Sequence, residues 1–393
     1  MNLSRVQAGL IAFGLGVTLA TPGVASPLVN PLETTQPDPL LPRPPIARPL
    51  SPLEIGDLRR SLDVLQQQGE TALQGGDTAA AFEIWMRELR LRRYLGVQEE
   101  VAALNRVGAI AWRENQFVLV RAITQRLQQI EAQAQRQSPI DTALLQAIAA
   151  GYQAVRAYDP AVALQTQHLT RARQTGDRPA EKTALLALAQ LHLAWFNYAE
   201  AAAVYRDLLA IARNERDLIA EAEALQQLAY LYQRGNERER AIVAQQQLID
   251  LYQRRQQPLL ILPLKLAIGD NHRALNRPRE AALQYQEAFV LARTTQQYGF
   301  AADALQRLAT LYESLNRPAD ALVVYRLLLD VHQQTYDQLG VMNTFAQIGR
   351  IQRAEGNRGE AAIAFEQALK LSQQLNYPQR TDYFTTQLQE LRQ

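Results

Sequence analysis

Cysteine is absent from the 393 residues, which excludes disulfides, thiolate metal sites and cysteine nucleophiles. Lysine is nearly absent too: Lys182, Lys265 and Lys370 are the three present, and Arg and Gln fill the polar positions instead. The 41 basic and 39 acidic residues are well mixed, leaving a net charge of +2 and no basic block of the kind nucleic acid requires. The four histidines are His168, His192, His272 and His332. None has a second ligand one helical turn away. His192 and His272 fall where Tyr232 and Tyr312 stand in alternating segments, so they read as polar-tipped fillers, not metal ligands. No HExxH, phosphate loop or G-x-S-x-G is present. The acidic residues read as solvent-face partners of nearby arginines, such as Glu237 with Arg240. The expectation is therefore no enzyme, no metal and no cofactor.

What is present begins with residues 1–25, which have the pattern of a secretory signal peptide. Arg5 gives the positive start, Ala8 to Ala20 the apolar core, and Gly23-Val24-Ala25 the small residues for cleavage before Ser26. That core is too short to span a bilayer, and no later stretch is long and apolar enough. An exported location, periplasmic or extracellular, is expected, with no membrane insertion of the mature chain. Residues 26–53 are so rich in proline that helix and sheet ladders are disfavoured. They read as a disordered linker or stalk holding the folded part away from a surface.

From Leu53 onward every stretch has helical periodicity. In Phe300 to Leu328, Leu305, Leu308, Ala309 and Tyr312 share one helix face. Asn316-Arg317-Pro318 breaks that helix, and Ala321, Val324, Tyr325 and Leu328 mark a second. The small residue opening that second helix recurs at Ala81, Val120, Ala163, Ala201, Ala241, Ala281, Ala321 and Ala361, at spacings of 39, 43, 38 and then 40 four times. Twelve residues before each stand Gly69, Gly108, Gly151, Ala189, Ala229, Gly269, Ala309 and Gly349, all Gly or Ala. Gly inside a helix costs about 1 kcal/mol relative to Ala, so a close approach at this phase is expected to require them. Four residues earlier lie Leu65, Leu104, Leu185, Leu225, Leu305 and Phe345. Four after the second small residue come Trp85, Tyr205, Tyr285, Tyr325 and Phe365.

On these residues the chain resembles a tetratricopeptide repeat protein over roughly residues 54–378, strongly from Ala180 onward. The first three repeats are degenerate, with Thr124 and Gln167 at the aromatic position and Ala147 where a Leu is usual. The period of 40 exceeds the usual 34, and the excess falls in the second helix and its exit. The resemblance implies an all-α, right-handed superhelical solenoid of about eight hairpins, with a capping helix over 379–393. It also implies a non-enzymatic protein-binding scaffold, whose first helices line a concave groove at the positions one and four after the small residue. The candidate groove residues are Trp112, Tyr152, Gln190, Tyr230, Gln233, Asp270, Arg273, Glu313, Arg350 and Arg353, aromatic early and charged late. Such a row suits an extended partner segment with apolar anchors and a carboxylate. The partner is a protein or peptide whose identity the sequence does not give. A sensor domain binding a small or peptide signal, and an accessory factor of an envelope enzyme, are the alternatives.

Overall fold

The computed structural model describes residues 30–33, 38–42, 48–137 and 141–392; the expected signal peptide, 1–25, lies outside them. Seventeen α-helices and no strand occur among the described residues. They follow one another as eight helix–turn–helix pairs and a final single helix: α1 Pro52–Gln74 and α2 Thr78–Arg92; α3 Val97–Arg113 and α4 Phe117–Ala134; α5 Thr142–Ala154 and α6 Tyr158–Thr175; α7 Arg178–Ala194 and α8 Tyr198–Glu215; α9 Leu218–Arg234 and α10 Arg238–Arg254; α11 Ile261–Ala274 and α12 Pro278–Thr294; α13 Tyr298–Ser314 and α14 Pro318–Gln334; α15 Gln338–Ala354 and α16 Arg358–Gln374; then α17 Pro378–Arg392. The all-α repeat array is as the periodicity predicts. The chain divides into two compact units, Met1–Ala161 and Val162–Gln393. Among the described residues no helix is long and apolar enough to cross a membrane.

The turns keep time for the repeat. Within the pairs, one residue with positive φ ends each first helix: Gly76, Asn115, Arg156, Phe196, Asn236, Asn276, Asn316 and Gly356. A left-handed residue there lets the next N–H groups bond back to the helix's last carbonyls, as Asn316 N–H does to Glu313 and Arg317 N–H to Tyr312. The helix exits use the same device at Gly176, Arg216, Gln256, Gln296, Tyr336 and Asn376. At Gly235-Asn236 it is Asn236 that takes the left-handed conformation, while Gly235 has φ −78°.

This clock corrects the third repeat. The left-handed residue follows the small position by seven in the other pairs, so Arg156 assigns that position to Ala149, which is buried, and not to Gly151. The buried opening residue of α6 is likewise Ala161, while Ala163 is exposed. Leu145 then occupies the Leu position and Gln165 the aromatic one, and the irregular 43 and 38 spacings resolve into 41 and 40. The sequence register slipped by two because Gly151, another small residue, lies two positions past Ala149.

The small positions exist to seat the paired helix's aromatic ring. A Cβ on Gly69 would lie 2.3 Å from Trp85 Nε1, on Gly269 2.4 Å from Tyr285 Cε1, and on Gly349 2.8 Å from Phe365 Cε1. Each ring is sixteen residues after its glycine and fully buried. The close approach is thus ring against helix, not backbone against backbone. Gly108 is held instead by Val155, and Gly151 by Asn105 and Leu127. Ala189, Ala229 and Ala309 are buried at the same phase. The array closes on α17, where Phe384 packs beside Phe365 with ring centroids 6.4 Å apart, in a cluster with Met342 and Leu388.

The described part of the Pro-rich segment is not a free stalk. Asp38 takes a forked pair of bonds from Arg87, at 2.8 and 2.9 Å. Arg90 donates to the Pro31 carbonyl and Arg93 to that of Leu32, whose side chain is 2% exposed. Leu40, Leu41 and Leu50 pack on Leu58, Leu62 and Leu91 of α1 and α2. Prolines keep the segment out of helix but leave its leucines and one aspartate free to dock, which composition alone does not reveal. It leads into α1 through a capping box between Ser51 and Glu54. Hydrogen bonds from Arg48 and then Ser51 push the Glu54 carboxyl down to about 2.

Candidate functional site

In the first unit the row of positions facing out of the first helices holds one exposed aromatic pair. Trp112 near the end of α3 is 42% exposed and stands edge-to-face with Phe117, the first residue of α4, at 6.2 Å between centroids. Tyr152, expected in the same row, is fully buried. Its hydroxyl donates to Glu131 Oε2 at 2.5 Å, and burial with this carboxylate pushes its ionisation above the usual tyrosine range. It is a core residue, misplaced by the two-residue slip; the outward positions of α5 are Ala150 and Gln153, both exposed.

In the second unit the late, charged half of the row is committed to links between repeats. Asp270 on α11 accepts the Tyr285 hydroxyl of its own pair at 2.7 Å and ion-pairs with Arg307 of the next first helix, α13. Glu313 on α13 repeats the motif, accepting Tyr325 at 2.6 Å and pairing with Arg350 on α15. Arg353 donates to Gln387 at 2.5 Å and Glu390 at 2.9 Å on α17. Each acid–arginine link spans 37 residues of sequence, the offset that brings neighbouring first helices side by side. Arg350 and Arg353, expected as a carboxylate-receiving end, each already face a carboxylate on the neighbouring helix. Arg273, exposed and 3.9 Å from Asp270, is the least committed guanidinium among the expected residues.

The early half of the second unit is different. Gln190, Tyr230 and Gln233 are all exposed, Tyr230 by 49%. Beside them lies a residue that the periodicity does not single out. Phe196 holds the turn between α7 and α8 with φ +59° and is 70% exposed. Its ring is 6.3 Å from that of Tyr198, over which the Arg234 guanidinium sits at 5.5 Å. Arg234 also donates to the Tyr198 hydroxyl at 3.1 Å, one turn along α9 from Tyr230. Left-handed backbone disfavours a bulky side chain, and the matching turns in four other repeats carry Asn there. An aromatic in an Asn/Gly column is a signal readable from sequence once the register is set.

Other polar groups are structural. His192 is buried, and burial holds His168, His192 and His272 below the usual histidine range. No group of three metal-ligating side chains occurs among the described residues. The acidic residues are not all on solvent faces, as the sequence suggested. Glu88 is fully buried between Arg92 (3.0 Å) and Arg106 (2.6 Å), and Glu100 is bound by Arg126 at 2.6 and 2.9 Å. Glu88 thus ties the first helical pair to the second through Arg106, and Glu100 ties α3 to α4 within the second pair.

Paired helices of fixed period, small-on-ring packing and an outward polar–aromatic row define a helical-repeat protein. Residues 343–375 match the family model of the tetratricopeptide repeat, one repeat's length within the helical-hairpin array. No curated protein matches it. Among solved structures it is similar to BtubC (BKLC) from P. vanneervenii, at 19% identity over 56% of this chain and 93% of that one, with a TM-score of 0.38. It is also similar to aspartyl phosphate phosphatase F from Bacillus subtilis, at 14% identity over 74% and 78% of the two chains, TM-score 0.40. A third is the signal transduction ATPase with a tetratricopeptide repeat sensor from Pyrococcus horikoshii, at 14% identity over 85% and 52%, TM-score 0.40.

Proposed function

We propose that this chain is a non-enzymatic protein-interaction scaffold that captures a partner segment on the first-helix face of its second unit. The observation that carries the reading is Phe196, kept exposed in a strained turn beside the Tyr198–Arg234 stack. Strain retained at an exposed aromatic is characteristic of a contact surface, and aromatics with arginine are the residues that most often anchor interfaces. Gln190, Tyr230 and Gln233 extend the surface along α7 and α9, and Arg273 offers a guanidinium to a partner carboxylate. The matched repeat belongs to a class that works through protein contacts.

A photo-crosslinking residue placed at Tyr230 should trap a defined partner, and the same residue at Glu366, exposed on α16, should trap none. Phe196→Ala should reduce the yield at Tyr230. Equal labelling at the two positions would overturn the assignment. We also propose that the scaffold works outside the cytoplasmic membrane, on the pattern of residues 1–25. A mature protein whose mass still includes Met1 would refute this.

A further inference from the structure

The Pro-rich segment carries one short pattern twice, Asn30-Pro31-Leu32 and Asp38-Pro39-Leu40. Both copies fold alike. In each, the leading side chain accepts the leucine N–H at 3.0 Å. The leading carbonyl accepts the next N–H, from Glu33 at 3.0 Å and from Leu41 at 3.1 Å. An Asx side chain bonded to the backbone two residues on, with a proline fixing φ between, makes a turn that is stable before anything binds it. Ser51-Pro52-Leu53 uses the same chemistry to cap and open α1. There the turn continues into a helix, whereas at 30 and 38 it ends after one turn and arginines take hold of it.

Those arginines form a row. Arg87, Arg90 and, just past the end of α2, Arg93 stand three residues apart, a spacing that places them on one face. Arg90 donates to the Pro31 carbonyl and Arg93 to that of Leu32, both at 3.0 Å, so the first turn is held by its backbone. Arg87 forks onto the Asp38 carboxylate at 2.8 and 2.9 Å, so the second is held by its leading side chain. The leucines complete the fit: Leu32 is buried, and Leu40 and Leu41 pack with Leu58, Leu62 and Leu91. Among the described residues no backbone–backbone hydrogen bond joins this strap to a helix. It is seated as a ligand is, by side chains on a helix face, and exchanging it breaks no helix. A cleft of about 370 Å³ runs between the first turn and Phe117 and Val118 of α4, both more than half exposed. An apolar residue beside a partner's turn would gain contact there.

We propose that the Arg87–Arg90–Arg93 face is a binding site for Asn/Asp-Pro-Leu turns, held closed by the chain's own two copies and opened when a partner protein presents turns of the same chemistry. The site belongs to the first unit and is separate from the Phe196–Tyr230 surface.

The probe is a fluorescein-labelled peptide of residues 28–42, titrated by anisotropy into the full chain. In the double variant Leu32→Arg, Asp38→Arg, whose own strap is repelled by the arginine row, saturable micromolar binding is expected. For a Kd of about 10 µM, a tethered copy at an effective concentration of about 1 mM weakens apparent binding to the wild-type chain about a hundredfold. Adding Arg87→Gln to the variant, or Asp38→Asn to the peptide, should each cost about tenfold, and both together no more than one alone, since they remove the same forked pair. A peptide of scrambled order should not bind. Displacement is read separately in the otherwise wild-type chain. It has no cysteine, so Glu33→Cys, at an exposed position, takes a single nitroxide label. The label should be immobilised at first and become mobile as unlabelled peptide reaches millimolar concentration. No saturation by a double variant with wild-type circular dichroism, equal affinity for variant and wild type, or a label still immobile under excess peptide would overturn the proposal. So would wild-type dimers in sedimentation that the double variant lacks, because the straps would then close the face of a second copy.

Discussion

The acid–tyrosine–arginine links make a prediction that can be worked through from geometry. Tyr325 is 1% exposed, and its hydroxyl gives Glu313 a 2.6 Å bond. Hydrogen bonds to charged groups contribute about 1.5–3 kcal/mol. Glu313 retains 21% side-chain exposure, which favours the lower end. Tyr325→Phe should therefore cost about 1.5 kcal/mol. Arg350 is 48% exposed, so its pair with Glu313 should contribute no more than about 0.5 kcal/mol. A double-mutant cycle on Tyr325→Phe and Glu313→Gln should return a coupling near 1 kcal/mol; one on Glu313→Gln and Arg350→Gln should return less than half that. The readout is hydrogen exchange of α13–α15, because a repeat array need not unfold in one step. Alkaline pH gives an independent check. Burial, then Glu313, pushes the Tyr325 hydroxyl above its ordinary value of 10.0. The native fold thus holds a proton that the unfolded chain releases. This contribution is complete below pH 10 and is lost as pH rises toward the native value, by about 1.4 kcal/mol per pH unit. Wild type should lose stability above pH 10 more steeply than Tyr325→Phe. Equal slopes together with a coupling below about 0.3 kcal/mol would refute the link.

Gly349→Leu should destabilise the last repeats by about 3 kcal/mol or more, since its Cβ alone meets the Phe365 ring at 2.8 Å. Gly359→Leu, with open space around its Cβ, should change the melting profile little; equal effects would refute the ring-seating account. Glu88→Ala takes the carboxylate from half-buried Arg106, while Arg92 keeps Asp63 and Glu99, and denaturation of the first unit should show a loss of about 2 kcal/mol. Phe196→Asn relieves a left-handed backbone at φ +59° and should stabilise the second unit by about 0.5–1 kcal/mol while weakening partner capture. A destabilised variant would show that Phe196 serves the fold and not a partner.

Most of the fold was legible because two independent columns, small residues twelve apart and an aromatic four further on, repeat with a period that chance does not supply. The slip at the third repeat shows where such reading fails. Gly151 is a small residue near the expected phase, and the search for Gly or Ala accepted it. The physical constraint lay elsewhere, in the left-handed residue that must end each first helix. Arg156 fills that place, and nothing in an arginine's identity announces positive φ. The docked strap was hidden for a related reason. Proline density reports what backbone a segment cannot adopt, whereas docking depends on a few side chains, Leu32 and Asp38, finding α2.

The candidate site was legible by phase but not by partnership. Counting one and four residues past the small position correctly found exposed residues at Gln190, Tyr230, Gln233, Arg273, Arg350 and Arg353. It could not say that Arg350 and Arg353 already face carboxylates on the neighbouring helix, since that requires the offset between repeats and not the phase within one. The 37-residue recurrence from Asp270 to Arg307, Glu313 to Arg350 and, with the charges reversed, Arg353 to Glu390 was present in the sequence all along. Charges at that offset neutralise one another across the array, and what remains for a partner is what has no match 37 residues away. Tyr230 and Phe196 satisfy that condition, which is why the proposed binding surface rests on the aromatics.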